Sequence, residues 1–164
     1  MTNIPRAYNE LVGTLLSEED RAKFEWAIGS ALINGPRTVL LIHGSPASGK
    51  STLLNIVRKL VMIPVNGGYA PRVLIKHEVD RLELDRDMRL DSDSYIFAAN
   101  NQPVYIPKGV EVINTSGNRV SVHKHYVLMD EIGDEAIDIA NHCLDVYHNT
   151  PNTISFNNPQ ENDR

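Results

Sequence analysis

The chain has 164 residues, 41% of them hydrophobic, enough for one domain with its own core and short for two. A formal charge of −5 argues against a surface that grips nucleic acid everywhere, and the single cysteine, Cys143, excludes an intrachain disulfide and suits a reducing compartment. No apolar run approaches the ~20 residues of a membrane helix and no signal-peptide core stands at the N-terminus, so the expectation is a cytoplasmic protein with no membrane partner.

In chain order, Tyr8, Leu11, Val12, Leu15 and Leu16 share one helical face. A second helix is better marked: Ser17 as N-cap, Asp20 three residues on, then Phe24, Ala27, Ile28, Ala31 and Leu32, with Asn34-Gly35-Pro36 as its stop. This helical preface, residues 1–35, leads to Thr38–His43, a β-branched apolar run of the kind that becomes a buried parallel strand.

Directly after that run comes Gly44-Ser45-Pro46-Ala47-Ser48-Gly49-Lys50-Ser51, a full match to the phosphate-binding pattern G-x-x-x-x-G-K-[ST], followed by Thr52. Ser51–Met62 then carries Leu53, Leu54, Val57 and Leu60 or Val61 at helical spacing, which completes the strand, loop and helix that the motif requires. The chemistry follows. Two glycines free the backbone so that successive N–H groups point inward around a β-phosphate, and the helix N-terminus adds partial positive charge. Lys50 reaches the β- and γ-phosphates, Ser51 offers its hydroxyl to Mg²⁺, and Thr52 adds a contact near the α-phosphate. The expected cofactors are ATP and Mg²⁺.

Beyond the loop helix, Pro64 and Asn66-Gly67-Gly68 break the chain and Arg72–His77 reads as a strand. Asp80–Asp93, with six acids and three arginines, reads as a solvated hairpin or loop. Tyr95–Ala99 is a third buried strand, ending in Asn100-Asn101-Gln102-Pro103, where an α/β protein places ligand-facing groups. Val104–Ile113 is β-rich with a turn at Pro107-Lys108-Gly109. From His123 one helical face runs through Tyr126, Met129, Ile132 or Gly133, Ala136, Ala140, Cys143 and Tyr147. The domain is thus read as 1–148, and the Asn-, Pro- and charge-rich residues 149–164 as a mobile tail.

Three stretches together resemble the ATPase domain of phage and viral primase-helicases, superfamily-three-like relatives of AAA+ proteins. They are Phe24–Leu32 with Gly35, Gly44–Leu60, and Phe97–Val104. Ser116–Tyr126, Leu128-Met129 and Ile139–Tyr147 resemble the closing segment of some phage members. The resemblance implies an α/β three-layer P-loop NTPase with a mainly parallel sheet, ATP hydrolysis coupled to DNA replication, single-stranded DNA as a partner, a homo-oligomeric ring and, for a phage protein, the host cytoplasm. It also implies Asn101 as the residue that positions the attacking water.

The chain departs from that pattern in two places. No hydrophobic run ending in paired acids stands between the loop helix and the sensor-like strand, where Val73–His77 ends in His77-Glu78, and no arginine pair follows that strand. It reads as a shortened member. Tyr126-Val127-Leu128-Met129-Asp130-Glu131 has the form of the missing acidic strand, with Asp130 for metal and Glu131 as base, while its position and continuation read as helix. Glu78 is the other acid near a strand end. Two alternative functions stay open: a truncated ATP-binding or assembly module that does not hydrolyse, and a small phosphotransferase using Arg81, Arg86 and Arg89 as a lid. His123, His125, His142, Cys143 and His148 are too scattered for a closed zinc site. Arg58, Lys59, Lys108 and Lys124 are the basic groups considered for DNA, with a solvated surface role as their ordinary reading.

Overall fold

Four short apolar stretches pair into one parallel sheet in the computed structural model, which describes residues 4–36, 38–64, 73–77, 94–100 and 110–149. They are β1 (Val39–His43), β2 (Val73–Lys76), β3 (Ser94–Ala99) and β4 (Val110–Asn114), in the spatial order β2-β3-β1-β4. Val39 lies opposite Tyr95 on one side and Val110 on the other, and every described pairing is parallel. Five helices accompany the sheet: α1 (Arg6–Leu15), α2 (Glu18–Leu32), α3 (Lys50–Val61), α4 (Val122–Asp134) and α5 (Ala136–Asn149). The fold is α/β.

Side-chain alternation along the strands produces two cores. Leu40, Ile42, Ile96, Ala98 and Ile113 meet the apolar faces of all five helices. Val39, Leu41, Tyr95, Phe97, Ala99 and Val110 gather on the opposite face, to which no helix among the described residues contributes. That face is buried as well, which is why the strands read as continuous apolar runs, and its burial is compatible with a third layer.

Helix α2 is the centre of the helical layer. Ser17 caps it, accepting from the Asp20 N–H at 3.2 Å, and Phe24–Leu32 is buried on every side because α1, α3, α5 and the sheet surround it. A side chain at Gly29 would put its Cβ 2.3 Å from the Cys143 carbonyl oxygen, so glycine is what lets α5 pass this close. The helix stops within the expected Asn34-Gly35-Pro36 run: Asn34 adopts the left-handed conformation, at φ 50°, and Gly35 donates its N–H to the Ser30 carbonyl at 2.8 Å.

Helix α1 has no side-chain cap of its own at Pro5. Its first N–H groups, of Ala7 and Tyr8, are taken by the Glu135 carboxylate at 3.2 and 3.1 Å. At its other end Ser116 donates its N–H to Leu15 O at 2.8 Å and its hydroxyl to Thr14 O at 2.6 Å. Chain that follows β4 therefore satisfies both ends of the preface helix.

The C-terminal pattern resolves at two points, one of them a change and one a choice between the two forms its sequence allowed. The single helical face from His123 is two helices, broken at Glu135, whose N–H is shared between Glu131 O and Ile132 O. Tyr126–Glu131 lies wholly inside α4, so the acidic strand that its sequence resembles is not formed.

A polar cluster is buried in the same layer. Glu25, 5% exposed, accepts from the Tyr8 hydroxyl at 2.8 Å, His142 Nε2 at 2.8 Å and Arg21 Nε at 3.3 Å. Burial alone would raise the Glu25 pKa, but the hydrogen bond and charge of His142, then Arg21 and Tyr8, hold it below the ordinary carboxylate value. Burial pushes the Tyr8 hydroxyl and the Cys143 thiol up, each with a contribution from the Glu25 charge. Among the described residues no helix is long and apolar enough to cross a membrane.

Candidate functional site

The chain leaving β1 is fixed on both sides. Gly44 donates its N–H to Ala99 O at the end of β3, 3.3 Å away, and Thr115, just past β4, donates to His43 O at 2.9 Å. His43 Nδ1 also bonds Asn114 Oδ1 at 3.0 Å. The Gly44–Gly49 loop thus sits at the carboxyl ends of three parallel strands, with its parent strand in the interior of the sheet, the position where open α/β sheets bind ligands.

Within the loop the backbone is left-handed at Ala47 (φ 60°) and Gly49 (φ 98°). Gly49 is the N-cap of α3 and gives it no side-chain cap, so the positive end of the helix faces the loop. A Cβ at Gly49 would come 2.7 Å from Leu15 Cδ2, which shows how closely the preface helix packs on the loop. Lys50 is 7% exposed, and its ammonium donates to Gly44 O at 2.7 Å and Ser45 O at 2.6 Å. The Ser48 hydroxyl is buried with no partner among the described residues. Ser51 is exposed, with Oγ 3.4 Å from Nδ1 of His77, the residue after β2. His77 Nε2 in turn lies 3.0 Å from a terminal nitrogen of Arg58.

A cavity of about 420 Å³ opens over this loop. Its floor is Pro46–Thr52 with Ala98 and Asn100 from the end of β3. Leu11 and Leu15 of α1 form one wall, and Arg119, Val122, His125 and Tyr126, at the start of α4, form another. Val122 and Tyr126 are 74% and 66% exposed, so Tyr126 stands at the cavity and not in the core that its helical spacing pointed to. One side of the space is the loop with Lys50, and the other mixes apolar and aromatic surface with Arg119 and His125.

The sequence-predicted residues divide accordingly. Gly44, Ser45, Pro46, Ala47, Ser48, Gly49, Lys50, Ser51 and Thr52 come together, the first two through the carbonyls that hold Lys50. Asp130 and Glu131 do not join them: Asp130 is exposed one turn beyond Tyr126, and Glu131 bonds Arg6 at 2.6 Å toward the other end of α1. Asn101, Glu78, Arg81, Arg86, Arg89, Lys108 and the tail from Thr150 lie outside the described residues. Lys124 pairs with Glu10, and Arg58 also donates to Asn55 Oδ1 at 3.0 Å. Among the described residues no group of three or more His, Cys, Asp or Glu is placed to hold a metal ion. His77, Arg119 and Leu15 were not legible as site residues, because only the strand order and the path after β4 bring them to the loop.

No protein-family model matches this chain, and no curated protein matches it.

Proposed function

We propose that the chain is a P-loop ATPase that binds ATP with Mg²⁺ over the Gly44–Ser51 loop, of the kind that drives phage or viral replicative helicases. The observation that carries the nucleotide reading is Lys50. Its buried ammonium rests on two carbonyls of its own loop, beside uncapped helical N–H groups and at the floor of a cavity with an apolar wall. An arriving triphosphate offers that ammonium anionic acceptors in place of neutral ones, while the loop N–H groups and the α3 N-terminus take the β-phosphate. Leu11 on one wall and Val122 and Tyr126 on the other shield the base and sugar from water.

Mg²⁺ keeps several waters and takes phosphate oxygens, so few protein donors are needed, and the cavity offers a serine hydroxyl for it. The Ser51 hydroxyl would hold it, and the ion would supply charge neutralisation on the phosphates. Asn101 orients the attacking water in this reading, and a ring of subunits on single-stranded DNA couples turnover to replication; both follow from the family resemblance. The second reading, an ATP-binding module without turnover, is favoured by one observation: no acid among the described residues lines the cavity.

Phosphate release by the full chain, with and without single-stranded DNA, separates the two while light scattering reports the mass. The ATPase reading expects turnover that rises with DNA as rings appear. ATP bound at the loop with no turnover under either condition selects the binding module.

A further inference from the structure

We infer that His77 is a positioning residue for Ser51, acting through a side-chain relay Arg58–His77–Ser51 that turns the serine hydroxyl toward the cation accompanying the nucleotide. The inference rests on the nucleotide reading above and deepens it. It concerns His77 and Arg58, to which neither the loop motif nor the family resemblance assigns a part in cation binding.

The geometry fixes the direction of each hydrogen bond. Arg58 approaches His77 Nε2 at 3.0 Å, and a guanidinium has only donors, so Nε2 must present its lone pair. The ring proton is then on Nδ1, and a second proton on Nε2 would set donor against donor. Nδ1 faces Ser51 Oγ at 3.4 Å, so the imidazole donates and the serine oxygen accepts. One lone pair of Oγ is thereby occupied, which leaves the other for a hard cation and the hydroxyl proton for a phosphate oxygen. The 3.4 Å separation is at the long end of the hydrogen-bond range. Arg58 is held in place by Asn55 Oδ1, so the relay is anchored along one side of α3. Ser51 is exposed, so without such a contact the cost of ordering its side chain would fall on cation binding. Protonated Nδ1 also excludes His77 as a direct ligand: its role is the outer-shell one of orienting the ligand.

Two measurements on the full chain test this. Long-range ¹H–¹⁵N spectra of histidine-labelled protein, with the His77 signal identified by its loss in His77→Asn, report the tautomer without nucleotide. Nδ1–H is expected in the wild type, and its loss in Arg58→Met. The second measurement titrates a fluorescent ATP analogue with and without Mg²⁺. The Mg²⁺-dependent gain in affinity should fall roughly tenfold in His77→Ala. His77→Asn, whose amide N–H falls near Nδ1, should restore most of it, and His77→Gln should not. An Nε2–H ring in the wild type, an undiminished Mg²⁺ gain in His77→Ala, or equal rescue by Asn and Gln each overturns the inference and leaves nucleotide binding standing. Wild type that binds no nucleotide under either condition overturns the nucleotide reading and the relay with it.

Discussion

Lys50 and Gly49 show how a local pattern becomes a site. The lysine follows a glycine whose φ of 98° an L side chain adopts only under strain, and that turn delivers the ammonium back onto the loop carbonyls. A Gly49→Ala substitution should cost about 1–2 kcal/mol from the left-handed backbone, and more if Leu15 Cδ2, 2.7 Å from the new Cβ, has to move. Denaturant unfolding measures it, and a variant as stable as the wild type would contradict the stated geometry. These residues were legible because their demands are met within one turn of chain. His77 and Tyr126 were not, since a histidine after a strand and a tyrosine at helical spacing have the same sequence signature whether they face a cavity, the core or solvent.

At the scale of elements, α1 depends on chain more than a hundred positions away. Its N-terminal N–H groups end on Glu135, at the break between α4 and α5, while it presents Leu11 and Leu15 to the cavity. Glu135→Ala should therefore lower stability by about 1 kcal/mol, the usual cost of a lost cap, and weaken ATP binding by loosening that wall. A loss no larger than that of a neighbouring exposed substitution such as Asp134→Ala would show that Glu135 caps nothing in solution. The Glu25 cluster ties α1, α2 and α5 together and makes a pH prediction. Because the folded pKa of Glu25 is lowered, the folded chain binds fewer protons there than the unfolded one. Its stabilising contribution is present above the unfolded value, about 4.3, and is lost as pH falls through the lower folded value. Thermal melts of the wild type and Glu25→Gln should show the steeper acid limb in the wild type, and parallel limbs would contradict the lowered pKa. Ser17 was readable as a cap from its neighbours alone. The Glu135 break was not, because apolar spacing continues through it, and neither was a cap supplied from the far end of the chain.

The whole molecule assembles its cavity from five separated pieces: the end of α1, the loop after β1, His77 after β2, the end of β3 and the start of α4. The strand order β2-β3-β1-β4 makes this possible by putting β1 between β3 and β4 with all carboxyl ends on one side. The apolar strands and the loop motif disclosed an α/β fold. The order of the strands was beyond reach, since parallel pairing is set by long crossovers rather than by local turns. Sequence form alone also left Tyr126–Glu131 open between strand and helix, and packing of Leu128 and Ile132 against the helical core decides for helix. The central claim is that the loop binds a nucleoside triphosphate through Lys50, and calorimetric titration of wild type and Lys50→Ala with Mg·ATP tests it most directly. Loss of a charge-assisted contact predicts about 1.5–3 kcal/mol weaker binding, roughly tenfold to a hundredfold, in a variant that still folds. Equal affinity in the two proteins, or no binding by the wild type, would contradict it.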